Sequence, residues 1–312
     1  MPENNVFPKH PVADVQPKGW GNLSGEVRLG SVTLANGVMT ASGTAGYGTE
    51  LSGSFDLSKL GAIVVKSLAA FEWAGNAAPR LRPTPAGMLN AVGLQGPGVP
   101  YWREEVLPGL LRTGAAVVAS IWGRSVDEYR AAAAQLAAVS DRVVAVEVNL
   151  SCPNVQGHGI IAHDPAASAA VVEAVADVAG RPCWAKLSAN TDRIVDVARA
   201  VSEAGAEAVT CINTLLGLAF DDTTGEPALG AGGGGLSGPA IHPVAVRAAH
   251  DVHRALPDLP IIGVGGIASA WDAIEFALAG ATAVQVGTAT FHDPKAPARI
   301  LRDLRDREGG PR

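Results

Sequence analysis

The sequence predicts an α/β chain folded as one (β/α)8 barrel, the TIM-barrel architecture. Three observations predict it. Eight short apolar runs rich in Val, Ile and Ala recur along the chain, and Ala-rich segments of helical period separate most of them. Only 17% of residues are charged, which suits a parallel sheet covered on both faces. Polar and glycine residues gather where the runs end, the position at which a barrel keeps its reactive groups. A doubly wound open sheet is the alternative, but it usually stops at about five to seven strands.

The elements follow in order. Residues 1–22 are rich in Pro and Asn without periodicity and read as an N-terminal tail. Residues 23–312 read as a single barrel domain, with no composition break or linker inside it. Glu26–Leu34 reads as a hairpin turning at Gly30–Ser31. The eight barrel strands are expected at Val38–Ala41, Ala62–Lys66, Ala116–Ile121, Ala145–Leu150, Cys183–Leu187, Ala208–Ile212, Ile261–Val264 and Ala283–Val286. Helices are expected at Val126–Val139, Pro165–Ala179, Asp192–Ala204, Ile241–Leu256, Trp271–Ala279 and Ala296–Arg307. The glycine-rich stretch Leu229–Gly238 reads as a flexible loop over a site.

Composition narrows the function. A net charge of −6 argues against a nucleic-acid or anionic-membrane surface, and no apolar run is long enough to span a bilayer. The first residues lack a basic segment followed by an apolar one, so no secretory signal is expected. Three separated cysteines, with no CxxC, make neither a disulfide framework nor a zinc or iron–sulfur site, and a reducing cytoplasm is expected. The seven histidines show no metal-ligand spacing: His158 and His163 fall in a loop, His250 and His253 on an outer helix. No GxSxG signature is present.

The strand ends carry the chemistry. Ala145–Asn154 reads AVEVNLSCPN, a strand that must leave the sheet at Pro153, which sets Cys152 at a strand mouth between Asn149 and Asn154. A lone cysteine is more often a buried structural thiol, the role expected of Cys183 and Cys211 inside their strands. Lys66 and Lys186 end apolar strands, where a lysine is rarely buried without a partner. Each is either snorkelling at the rim or offering a cation to an electron-rich ring or an anion. GVGGIAS and VGTAT place Gly265–Gly266 and Gly287–Thr288 after the seventh and eighth strands, where barrels bind phosphate through loop amides. Asn90, Asn149, Asn154 and Asn213 could surround a small polar ring, although any one of them could be a turn residue.

Six motifs then converge: VVKS (Val64–Ser67), MLNAVGLQ (Met88–Gln95), NLSCPN (Asn149–Asn154), INTLLG (Ile212–Gly217), GLSGPAI (Gly235–Ile241) and GVGGI (Gly263–Ile267). Together they resemble the class 1 dihydroorotate dehydrogenases over residues 23–305. GLQ and INTL resemble subclass 1B. The resemblance implies a (β/α)8 barrel that binds FMN and oxidises dihydroorotate to orotate, with Cys152 as the base that takes the C5 proton and hydride passing from C6 to the flavin. It implies FMN contacts from Ala41, Ser42, Lys66, Ser67, Ser120, Asn149, Lys186, Ile212, Gly238, Gly265, Gly266, Gly287 and Thr288, with Lys186 stabilising negative charge on the reduced flavin. Substrate contacts are implied for Lys66, Asn90, Gly93, Leu94, Asn149, Asn154, Asn213 and Thr214. It further implies a homodimeric core and an electron-transfer subunit that carries FAD and a [2Fe–2S] cluster and reduces NAD. The chain departs from the family pattern in several places. Ser120 stands where an asparagine near the flavin is usual, Trp122 is bulkier than usual, Gly96 follows GLQ in place of Asn, and Ala219 replaces a frequent basic residue. The loop Val155–Asp164 is about one residue short and lacks the usual Phe-Gly pair. Two alternatives stay open on the residues alone: a paralogous FMN oxidoreductase acting on another cyclic amide or ene-carbonyl, and a non-redox barrel that binds a phosphorylated metabolite.

Overall fold

The computed structural model of the protein describes residues 21–151 and 161–308. The tail over residues 1–20, Cys152 and Asn154 lie outside the described residues. Fourteen strands are described: β1 (Val27–Leu29), β2 (Val32–Leu34), β3 (Val38–Thr40), β4 (Ile63–Val64), β5 (Leu81–Thr84), β6 (Gly87–Asn90), β7 (Val117–Ile121), β8 (Ala145–Asn149), β9 (Cys183–Lys186), β10 (Ala206–Cys211), β11 (Leu215–Gly217), β12 (Gly234–Ser237), β13 (Ile261–Val264) and β14 (Ala283–Val286). Eight of them form a parallel sheet in the order β3-β14-β13-β10-β9-β8-β7-β4. A parallel bridge between Met39 and Ala62, with Gly61 N–H donating to Val38 O at 2.8 Å, closes the ends into a barrel. The expected strands and the observed ones agree to within a few residues at every position.

The helices are α1 (Gly98–Tyr101), α2 (Leu107–Leu111), α3 (Val126–Ala137), α4 (Pro165–Ala179), α5 (Ile194–Glu203), α6 (His242–Ala255), α7 (Ala270–Leu278), α8 (Ala289–His292) and α9 (Ala296–Glu308). Their boundaries follow local chemistry. Asp164 accepts hydrogen bonds from Ala166 and Ala167 N–H and precedes Pro165, so α4 starts there; it stops at Gly180, whose φ of 63° is left-handed. Ser269 and Asp272 form a reciprocal capping box at the start of α7. The helical segment from Gly98 to Leu111 escapes sequence periodicity because Pro100, Pro108 and a wide turn at Trp102–Val106 interrupt it. Among the described residues, no helix is long and apolar enough to cross a membrane.

Alternation along the strands sorts side chains into two regions. Val146 and Val148 of β8 pack outward into the helix layer with Val171, Val172 and Val175. Ala145 packs inward with Met39, Val64, Val118, Trp184, Ala208, Ile262 and Ala283, and the β1–β2 hairpin closes this end with Val27, Leu29, Val32 and Leu34. All five residues of β8 are buried because both faces of the sheet are covered. One expectation is corrected. The Leu229–Gly238 stretch is not simply a loop, since Gly234–Ser237 is β12 in a four-stranded antiparallel sheet ordered β11-β12-β6-β5. The glycines are needed there: a Cβ on Gly235 would run into the Thr214 hydroxyl. This second sheet grows from the segments after β4 and β10 and lines one side of the cavity at the strand ends.

Candidate active site

A cavity of ≈810 Å³ opens at the C-terminal ends of β3, β4, β8, β9, β10, β13 and β14. That volume is ample for a nucleotide-sized ligand and a small partner. Ala41, Ser42, Lys66, Ser67, Asn90, Gly93, Leu94, Asn149, Lys186, Ile212, Asn213, Thr214, Gly238, Gly265, Gly266, Gly287 and Thr288 all line it. Of the expected site residues that are described, Ser120 alone does not line it. Ser120 is fully buried, with its Oγ 2.9 Å from Ser67 Oγ.

Ser120 opens a polar chain across the floor. Asn149 Nδ2 donates to Ser67 Oγ at 3.2 Å, and Asn213 Nδ2 donates to Asn149 Oδ1 at 3.0 Å. Thr214 N–H in turn donates to Asn213 Oδ1 at 2.8 Å. Tyr129, reaching in from α3, donates to the Asn149 carbonyl at 2.5 Å. These bonds fix amide orientations that would otherwise be free to flip, so each amide presents a defined donor or acceptor. Ser151 N–H donates to Asn149 Oδ1 at 3.3 Å, and Ser151 lines the cavity.

The glycine cradle lies opposite. Gly265 and Gly266 have φ of 144° and 70°, and a Cβ on Gly266 would sit 2.7 Å from His242 Cβ and 2.9 Å from Gly238 O. The absence of a side chain lets this turn pack directly against His242 and the Gly238 carbonyl while it lines the cavity. His242 braces the cradle: Nδ1 lies 2.8 Å from Gly265 O and Nε2 lies 3.1 Å from Glu275 Oε2. Asp272 stands nearby, but its carboxylate is engaged by Ala268 and Ser269 N–H groups.

The two lysines differ. Lys66 donates to Tyr47 Oη at 3.0 Å and to Gln95 O. Burial, aided by the Arg80 charge, lowers its pKa to about 8. Burial, with the Glu50 charge adding to it, pushes the Tyr47 phenol up to about 12, so Tyr47 stays neutral and donates to Gln95 O at 2.5 Å. Lys186 sits deeper. Its Nζ is 3.3 Å from Gln285 Oε1, 3.5 Å from Ser42 Oγ and 3.7 Å from Glu147 Oε1. Thr210 Oγ1 and Gln285 Nε2 donate to Glu147 Oε2 at 3.0 and 2.6 Å. The sequence reading did not include Glu147, Thr210 or Gln285. Their signal was a polar residue set inside a largely apolar strand, as Glu147 is in AVEVN and Gln285 in AVQV.

The loop expected at the substrate is strained. Leu94, with φ of 60°, is the non-glycine residue at positive φ among the described residues. A conformation of this kind costs about 1–3 kcal/mol and is held by its surroundings. Trp73 Nε1 donates to Gly93 O at 3.0 Å, and Trp73 and Gly96 pair through their backbones at 2.8 Å in both directions. Trp122 supports this clamp, packing edge-on to Phe71 and Trp73 with centroids 6.0 and 6.2 Å away, and Arg124 lies over both of those rings. The departure at Trp122 is thus part of an aromatic cluster behind the loop. Ala219 packs with Leu89, Ala91 and Leu229 under the second sheet.

Fold and site together define a class: an α/β-barrel enzyme whose strand-end cavity joins a glycine cradle, two lysines and a bed of oriented amides. A family model described as dihydroorotate dehydrogenase matches residues 25–307. Over 279 residues the chain is 48% identical to a dihydroorotate dehydrogenase B (NAD(+)) catalytic subunit of Desulforudis audaxviator, covering 89% of this chain and 90% of that one. It is 46% identical to the protein of the same name from a Geobacter species, covering 89% and 91%, and 45% identical to that from Bacillus pumilus, covering 89% of each. The chain belongs to the dihydroorotate dehydrogenase family. Its activity is the oxidation of dihydroorotate to orotate in pyrimidine synthesis. The resemblance read from the six motifs is borne out at the level of the family.

Proposed function

We propose that the chain carries out this oxidation with FMN, as the catalytic subunit of a class 1B enzyme, with Cys152 as the base. The observation that carries the reading is the meeting of the glycine cradle, Lys186 and the asparagine bed in one cavity. The residues suit FMN on chemical grounds. Gly265, Gly266 and Gly287 line the cavity without side chains of their own, and glycine backbone at the ends of the last two barrel strands suits a phosphate. Lys66 and Lys186 offer cations to an anionic, electron-rich ligand, and the hydroxyl and amide of Ser67 and Asn149 can match ring donors and acceptors. In this reading Gly265, Gly266, Gly287 and Thr288 hold the phosphate. Ala41, Ser42, Lys66, Ser67, Asn149, Lys186, Ile212 and Gly238 hold the rest, and Ser120 acts through Ser67. Bound there, FMN supplies the acceptor for the hydride that leaves C6 of dihydroorotate.

The remaining work falls to the chain. Asn90, Asn149, Asn154, Asn213 and Thr214 pair with the polar edges of the substrate ring, Gly93 and Leu94 close over it, and Lys66 attracts its carboxylate. Cys152 takes the C5 proton, a task that needs a base held within reach of that carbon. The names of the relatives, each an NAD(+)-dependent enzyme's catalytic subunit, support an NAD-linked assembly with a further subunit. In this reading that subunit transfers electrons through FAD and a [2Fe–2S] cluster, and the catalytic core is a homodimer in the cytoplasm.

The test is the absorption spectrum of the purified chain, before and after adding dihydroorotate without air. We expect a yellow protein with about one FMN per chain that bleaches with substrate. A colourless protein that takes up no FMN sinks the cofactor, and bound FMN that dihydroorotate does not bleach sinks the site assignment. Cys152→Ala is expected to keep FMN and orotate but to lose bleaching rate by about 10²-fold or more, the usual worth of a positioned base. Cys152→Ser is expected to be slow at neutral pH and to quicken as pH rises. A wild-type rate in Cys152→Ala rules the thiol out.

A further inference from the structure

We propose that Glu147 is a positioning residue that offsets the charge of Lys186 and so sets the reduction potential of the cofactor held above it. The proposal rests on the FMN reading given above. Glu147 is 0% exposed at the centre of the barrel, and Lys186 is 3% exposed. Taking a carboxylate to that depth costs several kcal/mol unless charge and hydrogen bonds compensate it. Both forms of compensation are present.

The compensation is arranged as a ring. Lys186 Nζ donates to Gln285 Oε1 at 3.3 Å, Gln285 Nε2 donates to Glu147 Oε2 at 2.6 Å, and Glu147 Oε1 faces Lys186 Nζ at 3.7 Å. Gln285 has one orientation that satisfies both neighbours: its carbonyl toward the ammonium and its amino group toward the carboxylate. Thr210 adds a second donor to Glu147 Oε2. Glu147 Oε1 has no hydrogen-bond partner among the described residues, so its interaction is with the Lys186 charge alone. The four side chains come from β8, β9, β10 and β14 and are fixed by the sheet that carries them.

The arrangement has a front and a back. Lys186 lines the cavity, whereas Glu147 does not. A ligand on the cavity floor therefore meets a cation whose counter-charge lies immediately behind it. Such a pair attracts negative charge less than a lone ammonium does, because the two fields oppose each other, and in a low-dielectric interior the difference is large. The carboxylate thus limits how far Lys186 favours the electron-rich form of the cofactor. Removing the negative charge while keeping the shape leaves an uncompensated cation and makes the cofactor easier to reduce.

The experiment measures the two-electron midpoint potential of FMN in the whole protein for wild type, Glu147→Gln and Glu147→Asp. Glu147→Gln is expected to raise the potential by at least a tenfold shift in the reduction equilibrium, about 30 mV for two electrons. Glu147→Asp keeps the charge and is expected to stay near wild type. An unchanged or lowered potential in Glu147→Gln overturns the proposal, as does an equal shift in both variants, which would mark a packing effect. Should Glu147→Gln fail to fold or to hold FMN, the comparison of Lys186→Gln with Glu147→Gln/Lys186→Gln isolates the same charge. The double variant must read higher, and equal values overturn the proposal. A wild-type protein that binds no FMN defeats the cofactor reading itself, an outcome distinct from all of these.

Discussion

Lys66 is the residue whose titration falls nearest to working pH. A lysine ordinarily titrates near 10.5, and burial followed by the Arg80 charge brings this one to about 8. Between about pH 8 and 10.5 the unfolded chain binds a proton at Lys66 that the folded chain does not, so this group's contribution to stability rises with pH through that window. Anion binding runs the other way, because the ammonium is lost as pH passes about 8. Orotate is expected to bind about tenfold more weakly at pH 9.5 than at pH 7, the worth of a hydrogen bond to a charged group. The measurement is an orotate titration of the flavin spectrum in a Cys152→Ala background, which removes the thiol's own ionisation. Lys66→Met in that background is expected to bind weakly at both pH values, and a flat profile with Lys66 present would remove the lysine from the carboxylate. The strand-end position of Lys66 was legible in AIVVKS. Its engagement with Tyr47 and Gln95 was not, since those partners lie 19 and 29 residues away in sequence.

At the scale of elements, the second sheet ties substrate residues to one another. Asn90 ends β6 and donates to Gly235 O of β12 at 3.2 Å, while Gly235 pairs with Leu216 of β11. Gly235→Ala would force its new methyl against the Thr214 hydroxyl, displacing β12 and the residues that pair with it. The expected result is a raised KM for dihydroorotate, by about tenfold or more for a clash costing about 1–3 kcal/mol, with FMN content unchanged. Steady-state kinetics alongside the ratio of flavin to protein absorbance reads both. Loss of FMN with an unaltered KM would place β12 on the wrong ligand. The sequence hid this element because a run of glycines pairs through its backbone and leaves no hydrophobic period to read. The long Ala-rich helices, by contrast, were legible from their period, as at Pro165–Ala179, which the structure gives as α4 with the same bounds.

The whole molecule has an apolar end sealed by the β1–β2 hairpin, a polar layer of Glu147, Lys186, Thr210 and Gln285, and a cavity above it. A ligand that binds only the closed barrel stabilises all of it, by about 2.7 kcal/mol when present at 100 times its dissociation constant. Stripping FMN is therefore expected to lower Tm by several degrees and restoring FMN to recover it, as followed by circular dichroism. A Tm indifferent to FMN would mean that the cofactor does not bridge the barrel strands. By itself, the sequence determined the eight barrel strands, the six longer helices and the residues waiting at the strand ends, because each of these is written in local periodicity and in neighbours a few positions apart. Only the tertiary structure decided which polar residues share a level inside the barrel. Glu147 meets Gln285 across 138 positions and Thr210 across 63, and these meetings depend on strand stagger and closure, which no local pattern encodes.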